Sequence, residues 1–167
     1  MHTTPHPDFV VAGAGVIGAS IAYHLARSGA SVLIADPGSP LRPSASWASA
    51  GGIRRQNRDP REWALAVDAH ARWPALAEEL DADLDFQAGG HLHVAEDAVT
   101  LETLADRAGR ETAAGLDVRV VDAAAARELA PLLARSVLGG TYTYGDGQAN
   151  PRLVTRAFQA AATRLGA

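Results

Sequence analysis

The chain has 167 residues, enough for one ordinary domain or for part of a larger one. Hydrophobic residues make up 47% and charged residues 20%, the balance of a globular protein with a real core, and no apolar run reaches membrane-spanning length. A formal net charge of −4 argues against a nucleic-acid partner, and the absence of cysteine excludes disulfides and cysteine-ligated zinc.

The leader from Met1 to Pro7 lacks the basic start of a secretion signal, and its His2 and His6 read as part of a disordered end, not as a metal site. A soluble, cytoplasmic protein without membrane attachment is expected. Phe9-Val10-Val11-Ala12 comes next, apolar and β-branched, as a buried parallel strand should be. It runs into Gly13-Ala14-Gly15-Val16-Ile17-Gly18, a strand turning sharply into a helix. Gly13 permits the tight turn, Gly15 has no Cβ to keep the backbone from a phosphate, and Gly18 lets the helix pack closely on the strand. The helix is expected over Val16 to Ser28, with an apolar stripe through Ile17, Ile21, Ala22 and Leu25, ended by Gly29. A second strand, Ser31 to Ala35, carries Asp36 at its end. That acid lies roughly 20 residues after the glycines, where a carboxylate hydrogen-bonds ribose hydroxyls. The unit has the shape that holds a dinucleotide pyrophosphate at a helix N-terminus, where free N–H groups and the helix dipole favour negative charge. A glycine turn in an unrelated α/β protein is the plain alternative, and the flanking strand, helix and acid speak against it.

From Asp36 to Ser49 the chain is rich in Pro, Ser and Gly and reads as a loop. A helical stretch follows from about Arg61 to Leu80, with Trp63, Val67, Trp73 and Leu80 near helical spacing. Pro74 inside it requires a kink, or two helices with Pro74 in a first turn. The tryptophans read as packing residues. Phe86 to Val94 reads as two short strands around Gly89-Gly90. His91 and His93 share one face of the second strand and are expected to be exposed, since no third metal ligand is near. A polar, alanine-rich helix over Val99 to Gly115, a strand over Val118 to Val121, and a helix capped by Asp122 and running to about Ala130 come next. Leu138 to Tyr144 reads as a strand and Gly145-Asp146-Gly147 as a turn. Asn150 and Pro151 then start a last helix whose apolar face comprises Leu153, Val154, Ala157, Phe158, Ala161 and Leu165, with Gly166 at its end. That face needs a cover, and a βαβ sheet needs further strands, so an exposed sheet edge and helix face are expected to invite aggregation.

Together these residues resemble the D-amino-acid oxidase superfamily of FAD-dependent oxidoreductases, in particular its glycine oxidase and sarcosine oxidase-like branch. The resemblance covers nearly the whole chain. The flavin version of the dinucleotide motif continues past the glycines and is matched at Ala22, Leu25, Gly29, Val32 and Asp36. Ser44 to Gln56 resembles the second FAD-contacting segment, Gly89 to Leu92 the start of the substrate domain, and Asp146-Gly147 with Asn150-Pro151 the return to the FAD domain.

The resemblance implies an α/β fold: a Rossmann-like FAD-binding domain of the glutathione reductase-type βαβ kind, interrupted by the start of an α+β substrate domain. It places the first FAD segment at 1–82, the substrate-domain start at 83–145 and the return helix at 146–167. Family members are longer, so the chain reads as truncated, an N-terminal portion: a shortened gene, a split subunit with a partner chain supplying the rest, or a decayed copy. The implied reaction is oxidation of the C–N bond of an amino acid or a primary or secondary amine, by hydride transfer to flavin. The implied cofactor ligands are Gly13, Gly15, Val16, Ile17 and Gly18 for the pyrophosphate, Asp36 for the ribose, and Ser46, Trp47, Gly51, Gly52 and Ile53 beyond it. Trp47 departs from the small or polar residue the pattern favours. Arg54 and Arg55 are the candidate catalytic groups, near the flavin and a substrate carboxylate, which a guanidinium pairs in bidentate fashion. A surface arginine pair in ion pairs with nearby acids is the alternative for these two. The implied fragment recognises FAD without turning over by itself. A nicotinamide-dependent dehydrogenase and a non-catalytic nucleotide-binding subunit remain as other classes, and no metal is implied.

Overall fold

The computed structural model describes residues 6–38 and 44–167. His2 and the loop positions 39–43 lie outside the described residues. In chain order the elements are β1 (Phe9–Ala12), α1 (Val16–Arg27), β2 (Val32–Ala35), α2 (Ala45–Ala48), β3 (Gly52–Ile53), a 3-10 turn (Pro60–Glu62), α3 (Trp63–Ala71) and α4 (Trp73–Leu80). Then come β4 (Gln87–Ala88), β5 (His91–Ala95), α5 (Ala98–Ala113), β6 (Arg119–Asp122), α6 (Ala123–Leu129), β7 (Gly139–Thr143), β8 (Gly147–Gln148) and α7 (Pro151–Arg164). No helix among the described residues is long and apolar enough to cross a membrane.

The chain divides into two compact units. One holds Met1–Gly51, Trp73–Phe86 and Ala149–Ala167, the other Gly52–Arg72 and Gln87–Gln148. The sequence boundaries at 82/83 and 145/146 therefore differ from the compact units, chiefly because α3 goes with the second.

In the first unit, β1 and β2 pair in parallel, with Phe9 opposite Val32 and Ala12 opposite Ala35, and α1 connects them. Helix α1 ends as its sequence dictates: Ser28 is the C-cap, and Gly29, with φ of +90°, gives its N–H to the Ala26 carbonyl. Its packing face differs from the expected stripe. Ala19, Ala22, Tyr23 and Ala26 are buried, while Ile17 is 74% exposed and Ile21 is also exposed. The small alanines let α7 come close, and α7 answers with Val154, Ala157, Phe158 and Ala161. The face of the last helix, expected to lie open, is thus covered. Tyr23 and Phe158 meet with ring centroids 5.7 Å apart. Strand β1 is the second departure. Phe9 and Val10 are exposed, because among the described residues β1 has only β2 beside it.

Pro74 sits at the second position of α4, so the 61–80 stretch divides into two helices, as one of its two readings required. The side chain of Asn150 caps α7 by accepting from the N–H groups of Arg152 and Leu153.

The second unit holds two three-stranded antiparallel sheets, ordered β3-β8-β4 and β5-β7-β6. The two short strands expected around Gly89-Gly90 are present as β4 and β5, but they do not pair with each other. Strand β4 pairs with β8 and β5 with β7, because the Gly89 and Gly90 N–H groups turn instead to the Asp146 carbonyl. Strand β7 is buried along its length, between β5 and β6 and under α5 and α6. Asp122 caps α6 as expected, accepting from Ala124 and Ala125. Trp63 packs against the buried cluster of Ala108, Leu116 and Val118.

Candidate functional site

A cleft of about 630 Å³ opens in the first unit, and its lining includes β1 from Val10, the turn residues Gly13 and Gly15, the start of α1 through Gly18, and Ser46. The volume is that of a cofactor-sized pocket. Gly13 sits at φ +99°, a conformation that a side chain disfavours. Gly18 lies so close to the turn that a Cβ there would strike the Gly13 carbonyl. The capping position of α1 is Gly15, which brings no side chain to its N-terminus, and its first turn carries no acid. The positive end of the helix dipole is therefore left for a ligand anion. Ser46 reaches the same place from α2, its Oγ accepting the Val16 N–H at 2.9 Å.

Asp36 braces the glycine turn. One carboxylate oxygen accepts the Ala14 N–H at 2.7 Å and the other the Gly38 N–H at 2.9 Å. These bonds, Ala14 foremost, hold its carboxyl below the usual carboxylate range, so it is ionised at neutral pH. A carboxylate has about four acceptor sites, which leaves capacity for ribose hydroxyls.

The structure thus gathers Gly13, Gly15, Val16, Ile17, Gly18 and Ser46 at one cleft, with Asp36 hydrogen-bonded to its turn. Trp47 lines a neighbouring cavity and is half exposed, with the Arg152 guanidinium 4.2 Å above its ring. Gly51 ends the first unit's segment, its carbonyl accepting the Ala149 N–H at 3.0 Å. Gly52, Ile53, Arg54 and Arg55 belong to the second unit, where Gly52 and Ile53 form β3.

Neither arginine is a loose surface group. The Arg55 backbone N–H and Nε both donate to Asp146 at 3.0 Å, and Asp146 is fully buried, 91 residues further along the chain. His70 Nε2 lies 3.9 Å from the same carboxylate. The Arg54 guanidinium donates to the carbonyls of Gln56 and Asn57. Gln56, itself buried, donates to the His91 carbonyl at 2.5 Å and accepts from Thr141. Asn57, at φ +59°, gives its N–H to Glu111, whose carboxyl burial pushes above the usual range.

His91 and His93, expected to be exposed, are partly buried and sit ring to ring at 4.6 Å. Burial lowers both, His93 to about 4 with help from His91, Arg54 and Arg107, so both are neutral at pH 7. They face inward because they lie opposite Thr143 and Thr141 of the buried β7. Among the described residues no group of three or more metal-ligating side chains comes together.

Sequence reasoning missed Gln159, whose amide donates to the Ala14 carbonyl at 2.5 Å and ties α7 to the glycine turn. It also missed Asp146 as the partner of Arg55. No local pattern marks either, since each acts on a segment far away in the chain.

Residues 8–167 match the DAO family, FAD dependent oxidoreductase. The chain belongs to that family. It is 33% identical over 172 residues to a glycine oxidase of Geobacillus kaustophilus, covering 96% of this chain and 44% of that protein. It is 32% identical over 171 residues to one of the subunits of an opine oxidase from Rhizobium meliloti, covering 96% of this chain and 46% of that protein. The crystal structure of glycine oxidase from Geobacillus kaustophilus superposes with a TM-score of 0.87 at 30% identity, over 96% of this chain and 45% of that one. The chain therefore spans less than half the length of each of these relatives. The cofactor of the family is FAD, and the cleft fits it chemically: a helix N-terminus with no acid in its first turn, touched among the described residues only by the Ser46 hydroxyl, for the pyrophosphate and an ionised Asp36 beside it for the ribose.

Proposed function

We propose that this chain supplies the FAD-holding part of an enzyme that oxidises the C–N bond of an amino acid or of a primary or secondary amine. The observation that carries this reading is the cleft at the N-terminus of α1, with its open glycine turn braced by Asp36. Gly13, Gly15, Val16, Ile17 and Gly18 would hold the pyrophosphate, Asp36 the ribose, and Ser46, Trp47, Gly51, Gly52 and Ile53 the remainder. When bound, FAD supplies the electron acceptor for the oxidation, while the protein orients the substrate. Arg54 and Arg55 are the groups proposed for the substrate carboxylate. In support, the Arg55 side chain spends only its Nε on Asp146, and a guanidinium has five N–H donors. Both arginines are also held in place, which favours a preorganised site. A cytoplasmic location is part of the same proposal, and the cysteine-free composition is compatible with that reducing compartment.

The test is the visible spectrum of the purified chain after mixing with FAD and removing the excess. A retained flavin spectrum, lost in Gly18→Ala, is the expected result. A folded chain that retains no flavin would overturn the reading. By itself the chain is proposed to bind FAD without turnover, since it spans less than half of its relatives, and sustained amine oxidation by it would refute that part. A second reading has a partner chain completing the enzyme, supported by the likeness to a protein that is one subunit of an opine oxidase. Its test is whether the product of an adjacent reading frame co-purifies with this chain and restores oxidation.

A further inference from the structure

Beside the dinucleotide cleft, the first unit holds a second, smaller cavity of about 160 Å³. That is several times the roughly 30 Å³ that one water occupies in the liquid. Its chemistry is one-sided. Arg152 and Arg156 stand one turn apart on α7, Ser44 and Ser46 come from the segment around α2, and among the described residues no carboxylate lines the space. Among the described residues neither guanidinium has a carboxylate partner within ion-pair distance. Two like charges at this helical spacing repel, a local cost that an anion between them would remove.

The side chains are arranged to donate. Arg152 is stacked on Trp47 at 4.2 Å, which orients its plane and leaves its N–H edges for hydrogen bonds. Ser44 Oγ already accepts the Trp47 N–H, and Ser46 Oγ accepts the Val16 N–H, so each hydroxyl still has its own proton to give. Thr155 spends its hydroxyl proton on the Pro151 carbonyl and Gln159 an amide proton on the Ala14 carbonyl. What remains is two guanidinium forks and two hydroxyl donors around a space sized for a small tetrahedral anion.

We propose that this cavity is an anion subsite that takes a phosphate-type oxyanion. It needs no bound dinucleotide, but it is mechanically joined to the dinucleotide cleft. Ser46 lines both cavities, and Gln159 holds the glycine turn from the α7 side. An oxyanion that draws on Ser46 therefore alters the group that caps α1, and by linkage the two ligands affect one another equally.

The experiment is a calorimetric titration of inorganic phosphate into the 167-residue chain in chloride buffer, with Trp fluorescence followed in parallel for Trp47. Saturable one-site binding in the millimolar range is expected. Arg152→Gln and Arg156→Gln should each weaken it about tenfold, and Arg156→Lys less than Arg156→Gln, because lysine keeps the charge and loses the fork. Both arginines are exposed, so circular dichroism should show the variants folded. Arg110→Gln, on an exposed position of the second unit, removes the same charge and should leave binding unchanged. Repeating the titration with FAD present separates two sources of the phosphate group. Phosphate binding that persists with FAD bound, its affinity shifted by the coupling through Ser46, identifies a free oxyanion, whereas mutually exclusive binding assigns the cavity to a phosphate of the dinucleotide itself and overturns a subsite that needs no bound dinucleotide. No saturable binding, or equal weakening by Arg110→Gln, would overturn the subsite.

Discussion

The two units are built on different principles. The first packs alanines against aliphatic and aromatic groups: Ala19, Ala22, Tyr23 and Ala26 on α1 against Val154, Ala157, Phe158 and Ala161 on α7. The second buries Gln56, Glu111, Thr141, Thr143 and Asp146, and no side chain of that polar kind is fully buried in the described part of the first. It also holds every buried side-chain nitrogen or oxygen left without a hydrogen bond among the described residues, in Trp63, His70, His93 and Thr143. Apolar contact is tolerant of small shifts, whereas a buried carboxylate is tolerated only with its partners in place. The first unit is therefore a scaffold that can present an open cleft. The second is a locked framework in which one lost partner has a large effect.

The sharpest test is Asp146→Ala. It removes the acceptor of two Arg55 donors and leaves a guanidinium that is only 19% exposed without its counter-charge. Loss of about 4 kcal/mol is expected, read from the urea midpoint, with hydrogen exchange rising mainly in the second unit. Uniform exchange across both units would break the comparison.

Phe158→Ala probes the first unit. It empties the space beside Tyr23 in the α1–α7 contact and should cost about 3 kcal/mol, with faster exchange in α1 and α7. A smaller loss here than at Asp146 is the ordering that the comparison predicts.

The smallest effect expected is a pH dependence confined to the second unit. His93 titrates at about 4 in the folded chain against 6.5 unfolded. Between those values the unfolded chain binds more protons, so stability rises with pH through the window and is fully present above 6.5. Acidification from pH 7 to 5 should cost about 1–2 kcal/mol from this residue, after allowance for its partial exposure. Glu111 acts in the opposite direction, since its raised folded value favours the protonated, folded form as pH falls. His93→Gln should flatten the acid limb of the urea midpoint against pH. An unchanged limb would remove His93 from the account.

Much of the first unit was legible because its instructions are local. The glycine spacing, the C-cap at Gly29, the Pro74 break and the Asn150 cap each act within one turn of their own position. The pyrophosphate part of the site was legible for the same reason, since Gly13 to Gly18 are neighbours in the chain and around the cleft. The face that α1 buries was not. Helical periodicity marks an apolar stripe at Ile17 and Ile21, but closest approach to α7 is won by the alanines.

By itself, then, the sequence determined the βαβ unit, its caps, the carboxylate at the end of β2 and the family. All of these depend on backbone preferences within a few residues. Only the tertiary structure decided that β4 leaves β5 for β8, that His91 and His93 turn inward, and that Asp146 receives Arg55 across 91 residues. Strand partners and buried polar partners are chosen by where the chain returns, and no periodicity along the chain encodes that return.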